Sequence, residues 1–77
     1  MKVTIVSPEK TLYEGEAEGV KLPGAQGLFE VLKGHAPLIS TLTNGKVECL
    51  GKEPFEVNVN SGFVEVAHNA VSICVEM

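Results

Sequence analysis

Apolar and polar residues alternate at period two along most of this chain, a pattern that predicts strands. Val3 and Ile5 share one face of a strand over Lys2–Ser7, and Pro8-Glu9 ends it because proline cannot donate into a central ladder. Thr11 to Leu22 reads as one long extended piece. Its apolar parity switches near Glu18-Gly19, which predicts a β-bulge there. Pro23 to Gly27 reads as a loop, Leu28–Leu32 as a short strand, and Lys33-Gly34-His35-Ala36 as a turn ending at Pro37. Leu38–Thr43 and Lys46–Leu50 flank Asn44-Gly45, the strongest hairpin signal in the chain. After a turn at Gly51–Pro54, Phe55, Val57 and Val59 alternate with Glu56 and Asn58. Asn60-Ser61-Gly62 leads into Phe63–Ala67, His68-Asn69 makes the last turn, and Val71, Ile73 and Val75 alternate to the end.

No segment carries apolar residues at helical period over two capped turns. The expected fold is all-β: a small two-sheet β-sandwich or flattened barrel of about eight to ten short strands, forming one domain over residues 1–77. Val3, Ile5, Val57, Val59, Val66, Val71 and Ile73 are the expected core.

Composition narrows the function classes. Six Lys against ten Glu give a net charge of -4, with no Arg, Asp or Trp. The Lys residues are dispersed and no guanidinium is present to fork onto phosphate, so a nucleic-acid surface is not expected. No apolar run approaches the ~20 residues that a bilayer-spanning helix needs. Met1–Val6 alternates like a strand and lacks a cleavable signal pattern. Cys49 and Cys74 lack metal-site spacing and read as two reduced cysteines of a cytosolic protein.

Candidate chemistry is sparse. His35, between Gly34 and a proline-bounded turn, would need an acid and a nucleophile nearby to act as a general base. Ser40 and Ser61 lack a nucleophile-elbow context, so an interface role for the turn is the better reading. His68 reads as a solvated turn residue, and Glu14, Glu16 and Glu18 as a solvated row that discourages edge-to-edge pairing. No catalytic, cofactor or metal residue is assigned. The more informative anomaly is apolar residues at the wrong parity. Cys74 opposes Val71-Ile73-Val75, Phe63 and Val64 cannot both face inward, and Leu28, Leu32 and Ile39 crowd both faces near the His35 turn. Either bulges turn these residues inward, or they form an apolar docking surface.

The blocks Val6-Ser7-Pro8-Glu9, Tyr13-Glu14-Gly15-Glu16, Gly34-His35-Ala36-Pro37-Leu38, Ser61-Gly62-Phe63-Val64-Glu65-Val66 and Asn69-Ala70-Val71-Ser72-Ile73 occur in this order along the chain. Together they resemble the amino-terminal domain of the ATP synthase epsilon subunit family. The resemblance implies a non-catalytic β-sandwich of the central rotor stalk, docked on the gamma subunit and on the loops of the membrane c ring. There it would couple proton-driven rotation to ATP synthesis. On the matching positions, Ser7, His35 and Ser40 would face gamma, and Gln26, Gly27, Leu28 and Lys33 would face the c ring. Neither a cofactor nor a small-molecule ligand is implied. The implied place is peripheral, on the cytoplasmic face of a bacterial inner membrane.

Two departures bear on this. Gln26 and Leu28 stand where the family usually carries acids, so an apolar or amide contact is expected in place of charge pairing. The sequence ends at Met77, where the family usually continues into a helical hairpin, so that hairpin's regulation is expected to be absent. Two other classes compete with the stalk reading: a small enzyme or ligand-binding barrel built on His35, and a free-standing β adaptor binding a peptide at a sheet edge.

Overall fold

A computed structural model describes all of residues 1–77. Its nine strands are β1 (Lys2–Val6), β2 (Thr11–Glu16), β3 (Gly19–Gly24), β4 (Gly27–Leu32), β5 (Leu38–Leu42), β6 (Gly45–Leu50), β7 (Phe55–Val59), β8 (Ser61–Ala67) and β9 (Ala70–Glu76). There is no helix, as the missing 3.6-residue period requires. One layer runs β2-β1-β9-β8-β5 and the other β4-β3-β6-β7, joined where Gly24 of β3 pairs Leu42 of β5. β1 and β9 are parallel, and every other pair is antiparallel. The result is the expected flattened barrel, with β2 and β7 as facing free edges. Side chains bridge that seam: the Tyr13 hydroxyl donates to the Glu53 carbonyl at 3.0 Å, and the Tyr13 and Phe55 rings stack at 5.0 Å.

The strand periodicity places the core. Sixteen apolar residues are buried between the layers, with no polar side chain among them. Val3, Ile5, Val59, Val66, Val71 and Ile73 are among the buried residues, as expected. Val57 is half-buried, packed against the rim of the cluster near the β7 free edge. Val64 is buried and Phe63 points outward, which resolves the parity conflict in β8.

Three expectations fail, two of them at points where the chain changes layers. Thr11–Leu22 is not one bulged strand. It is two strands broken at Ala17-Glu18, where the Ala17 N–H donates to Met1 O (2.9 Å) and the Glu18 N–H to Leu50 O (2.8 Å). These acceptors belong to opposite layers, so the parity switch marks a crossing. Pro23 lies within β3, not in a loop, and only Ala25-Gln26 turn the chain between Gly24 and Gly27.

Asn44-Gly45 forms no hairpin. The ladder that pairs Lys21 with Glu48 would carry Gly24 to Gly45, yet Gly24 pairs Leu42. β5 and β6 are therefore two halves of a single bent partner of β3, kinked at Thr43-Asn44. Neither Asn44 nor Gly45 adopts the positive φ that the hairpin turn demands. The Thr43 N–H donates to Pro23 O at 2.9 Å, and Asn44 Nδ2 donates to Asn60 Oδ1 at 3.1 Å. Glycine is needed at 45 for space: an added Cβ would lie 2.6 Å from the Pro23 Cβ. A hairpin turn with positive φ at both central residues forms at His68-Asn69, at 51° and 61°, joining β8 to β9 as expected.

Ile73→Ala, in the fully buried row of β9, should cost about 2–4 kcal/mol in denaturant melts. Gly45→Ala should cost about 1–3 kcal/mol, because it overpacks the rigid Pro23 ring. A neutral Gly45→Ala would show that the corner relaxes freely around that contact.

Candidate docking surface

The strand registers divide the connections between two ends of the barrel. The Ser7–Lys10 turn, the Ala25-Gln26 turn, the Thr43-Asn44 kink and the Asn60 link share one end. The Lys33–Pro37 turn shares the other with Ala17-Glu18, Gly51–Pro54 and His68-Asn69. The positions expected to face gamma are therefore split, with Ser7 at the first end and His35 at the second. The positions expected to face the c ring are split too: β4 separates Leu28 from Lys33 by about 17 Å at the usual strand rise.

Gln26, Gly27, Leu28 and Ser40 come together at the first end. With Ile39 and Thr41 they line a shallow cleft of about 480 Å3 between the β3–β4 turn and β5. Gly27 adopts φ 125°, open to glycine, as the chain re-enters the sheet. Ser7 lies in a neighbouring groove of about 300 Å3, beside Val6, Pro8, Phe63 and Cys74. Cross-strand pairing connects the two: Thr41 pairs Phe63, Phe63 pairs Cys74, and Cys74 pairs Val6. The outer surface of the first layer thus carries an apolar row at this end. Ile39 and Phe63 were not assigned from the sequence, although their wrong parity was the signal. They are 74% and 49% exposed, and Leu28 is 71% exposed. Of the two readings of that parity, the outward one holds at these three positions.

The polar groups here are engaged locally. Ser7 Oγ donates to Lys10 O (3.2 Å) and accepts from the N–H of Glu9 and Lys10, which ties the β1–β2 turn. Ser40 Oγ donates to Thr41 O at 3.2 Å. His35 is exposed, its Nδ1 lies 2.7 Å from the Ala36 carbonyl as a donor, and its own N–H donates to Leu32 O to close the turn. No carboxylate or nucleophile pairs with the ring. Glu14 and Glu16 form an outward row on β2, paired with Lys2 at 3.9 Å and with the N-terminal ammonium at 3.3 Å. Both cysteines are free thiols.

The family described as "ATP synthase, Delta/Epsilon chain, beta-sandwich domain" matches residues 1–77. The chain belongs to this family. An ATP synthase epsilon chain of Leptospira interrogans is 45% identical over 74 residues, covering 95% of this chain and 58% of that one. One from Chlorobium limicola is 39% identical over 77 residues, covering 97% and 88%. The chain thus spans little more than half the length of the Leptospira epsilon chain and most of the Chlorobium one. The fold matches a chain in the central stalk and c ring of Tetrahymena thermophila mitochondrial ATP synthase, with TM-score 0.83, 15% identity, and 99% and 63% of the two chains covered. A chain in the Euglena gracilis mitochondrial enzyme gives TM-score 0.88 at 18% identity, covering 97% and 49%. At those identities the likeness is one of fold alone.

Burial pushes the Cys49 thiol up to about 11. The folded state therefore holds its proton more tightly than the unfolded chain, and this contribution to stability fades as pH rises from the ordinary thiol value toward 11. Cys49 in the native protein should resist a thiolate-directed reagent at pH 8, and the half-buried Cys74 should react first. Equal labelling rates, followed by mass spectrometry of the two peptides, would contradict this.

Proposed function

We propose that this chain is the non-catalytic docking domain of the central stalk of a bacterial, proton-translocating ATP synthase. It binds the gamma subunit and the c ring and transmits rotation between them. The family match across residues 1–77 carries this reading. Its surface supports the same conclusion: uncovered apolar side chains and locally satisfied polar groups suit a protein partner better than a reaction. In this assignment Ser7, His35 and Ser40 face gamma, and Gln26, Gly27, Leu28 and Lys33 face the ring. Since His35 and Ser7 lie at opposite ends, gamma must contact the sandwich along its length. The domain sits at the cytoplasmic face of the membrane through the complex.

The decisive experiment is co-purification. Tagged full chain expressed with its cognate gamma subunit should retain gamma through washing, and recovery of the chain alone would reject the reading. His35→Ala should leave the thermal midpoint unchanged, since the residue is exposed and its side-chain hydrogen bond lies within its own turn, and should weaken gamma binding by about tenfold. Unchanged affinity would remove His35 from the interface.

A further inference from the structure

The connection from β6 to β7 is weakly secured. Gly51–Pro54 makes no backbone hydrogen bond and no ion pair, and the Tyr13 hydroxyl on the Glu53 carbonyl is the one hydrogen bond it receives. Gly51 enters the connection at φ 134°, a conformation that residues with a side chain rarely adopt. Phe55 leaves it stacked on the Tyr13 ring, across a seam that has no backbone ladder. Immediately before it, the Leu50 carbonyl is held by the Glu18 N–H. The weak stretch therefore begins after Leu50 and ends where the β6–β7 ladder takes over. Cys49 lies under that stretch. It is fully buried, and it is the cross-strand partner of Phe55, so the two side chains share the inner face. Both line a groove of about 300 Å3 with Glu48, Pro54 and Glu56.

We infer that Gly51–Phe55 is a flap, latched by Tyr13, that lifts while the rest of the barrel stays folded and bares Cys49 as a cryptic site for small thiol-directed electrophiles. Lifting it breaks one hydroxyl–carbonyl bond, one ring stack and the first rung of the β6–β7 ladder. Global unfolding must instead expose a core of sixteen residues. Openings of the first kind lie well below the global free energy, and they make a buried group reachable from the native state. Once bared, the thiol ionises and its sulfur displaces iodide from a reagent such as iodoacetamide. A thioether forms, iodide leaves and the proton passes to the buffer. Cys74, half-buried on β9 in the other layer, lies outside the flap and serves as the internal reference. The flap is independent of the stalk reading.

The test is the rate at which iodoacetamide alkylates Cys49 in the full chain at pH 8, followed by mass spectrometry at urea concentrations below the unfolding transition. Cys49 should label slowly. The logarithm of its rate should rise with urea at less than about half the slope of global unfolding, because the opening exposes little surface. Tyr13→Phe removes the hydroxyl and keeps the ring, and it should speed labelling of Cys49 about fivefold without changing that of Cys74. Ile73→Val weakens the core in the other layer and should leave the Cys49 rate without urea unchanged. In the wild-type chain alone, a urea slope equal to that of global unfolding, or no labelling below the transition, rejects the flap. Equal acceleration by Tyr13→Phe and Ile73→Val would assign the exposure of Cys49 to global unfolding and overturn the proposal. A shallow slope that Tyr13→Phe leaves untouched removes Tyr13 as the latch.

Discussion

Strand β3 is paired along both edges, and the geometry of the barrel depends on how its second edge is shared. β4 covers one edge along the full length of β3. The other is divided between β6, opposite Gly19–Lys21, and β5, opposite Gly24. A continuous partner would have extended one flat layer. The kink at Thr43-Asn44 instead sends β5 into the other layer, where it pairs β8 and completes the sandwich. Pro23 suits this corner. It has no N–H to satisfy, its carbonyl still accepts from Thr43, and its ring packs so close to Gly45 that no side chain fits there. A similar restriction operates at Gly62 of β8, where an added Cβ would collide with the Cys74 carbonyl of the paired strand β9.

That corner also creates the exposed apolar cleft. Bending β5 away from β6 sets its outer residues Ile39 and Thr41 beside the β3–β4 turn, forming a cleft between strands from different layers. The same bend brings Thr41 into register with Phe63, Cys74 and Val6, so the apolar row continues across four strands. The core itself is purely apolar and asks for no buried hydrogen bond. Turn side chains therefore serve local geometry, as Ser7 and His35 do through hydrogen bonds within their own turns.

A domain of 77 residues buries a modest share of its unfolded surface, near the lower limit for independent stability. The seam between β2 and β7 is closed by one hydroxyl–carbonyl bond and one ring stack, without a backbone ladder. A partner that covers the exposed apolar row would add burial at the corner end, and the seam lies beside a different part of the barrel.

The sequence by itself determined the strand class, most strand positions, part of the core and the last hairpin, because period-two alternation and turn chemistry are local properties. Val71, Ile73 and Val75 face inward for the same reason that they alternate. His68-Asn69 turns the chain because Asn and His tolerate positive φ. The tertiary structure decided what local signals cannot encode, namely which strand lies beside which. Asn44-Gly45 carries the local signature of a hairpin, yet β3 occupies the space where the partner strand would pair. The switch at Glu18 looks like a bulge along one strand and is a passage between layers, since a period of two records only a face and not the sheet it belongs to. The site followed the same division. The sequence flagged Leu28, Ile39 and Phe63 as apolar residues on the wrong side, and only the bend in β5 gathered them at one end with Ser7, Gln26 and Ser40, leaving His35 and Lys33 at the other.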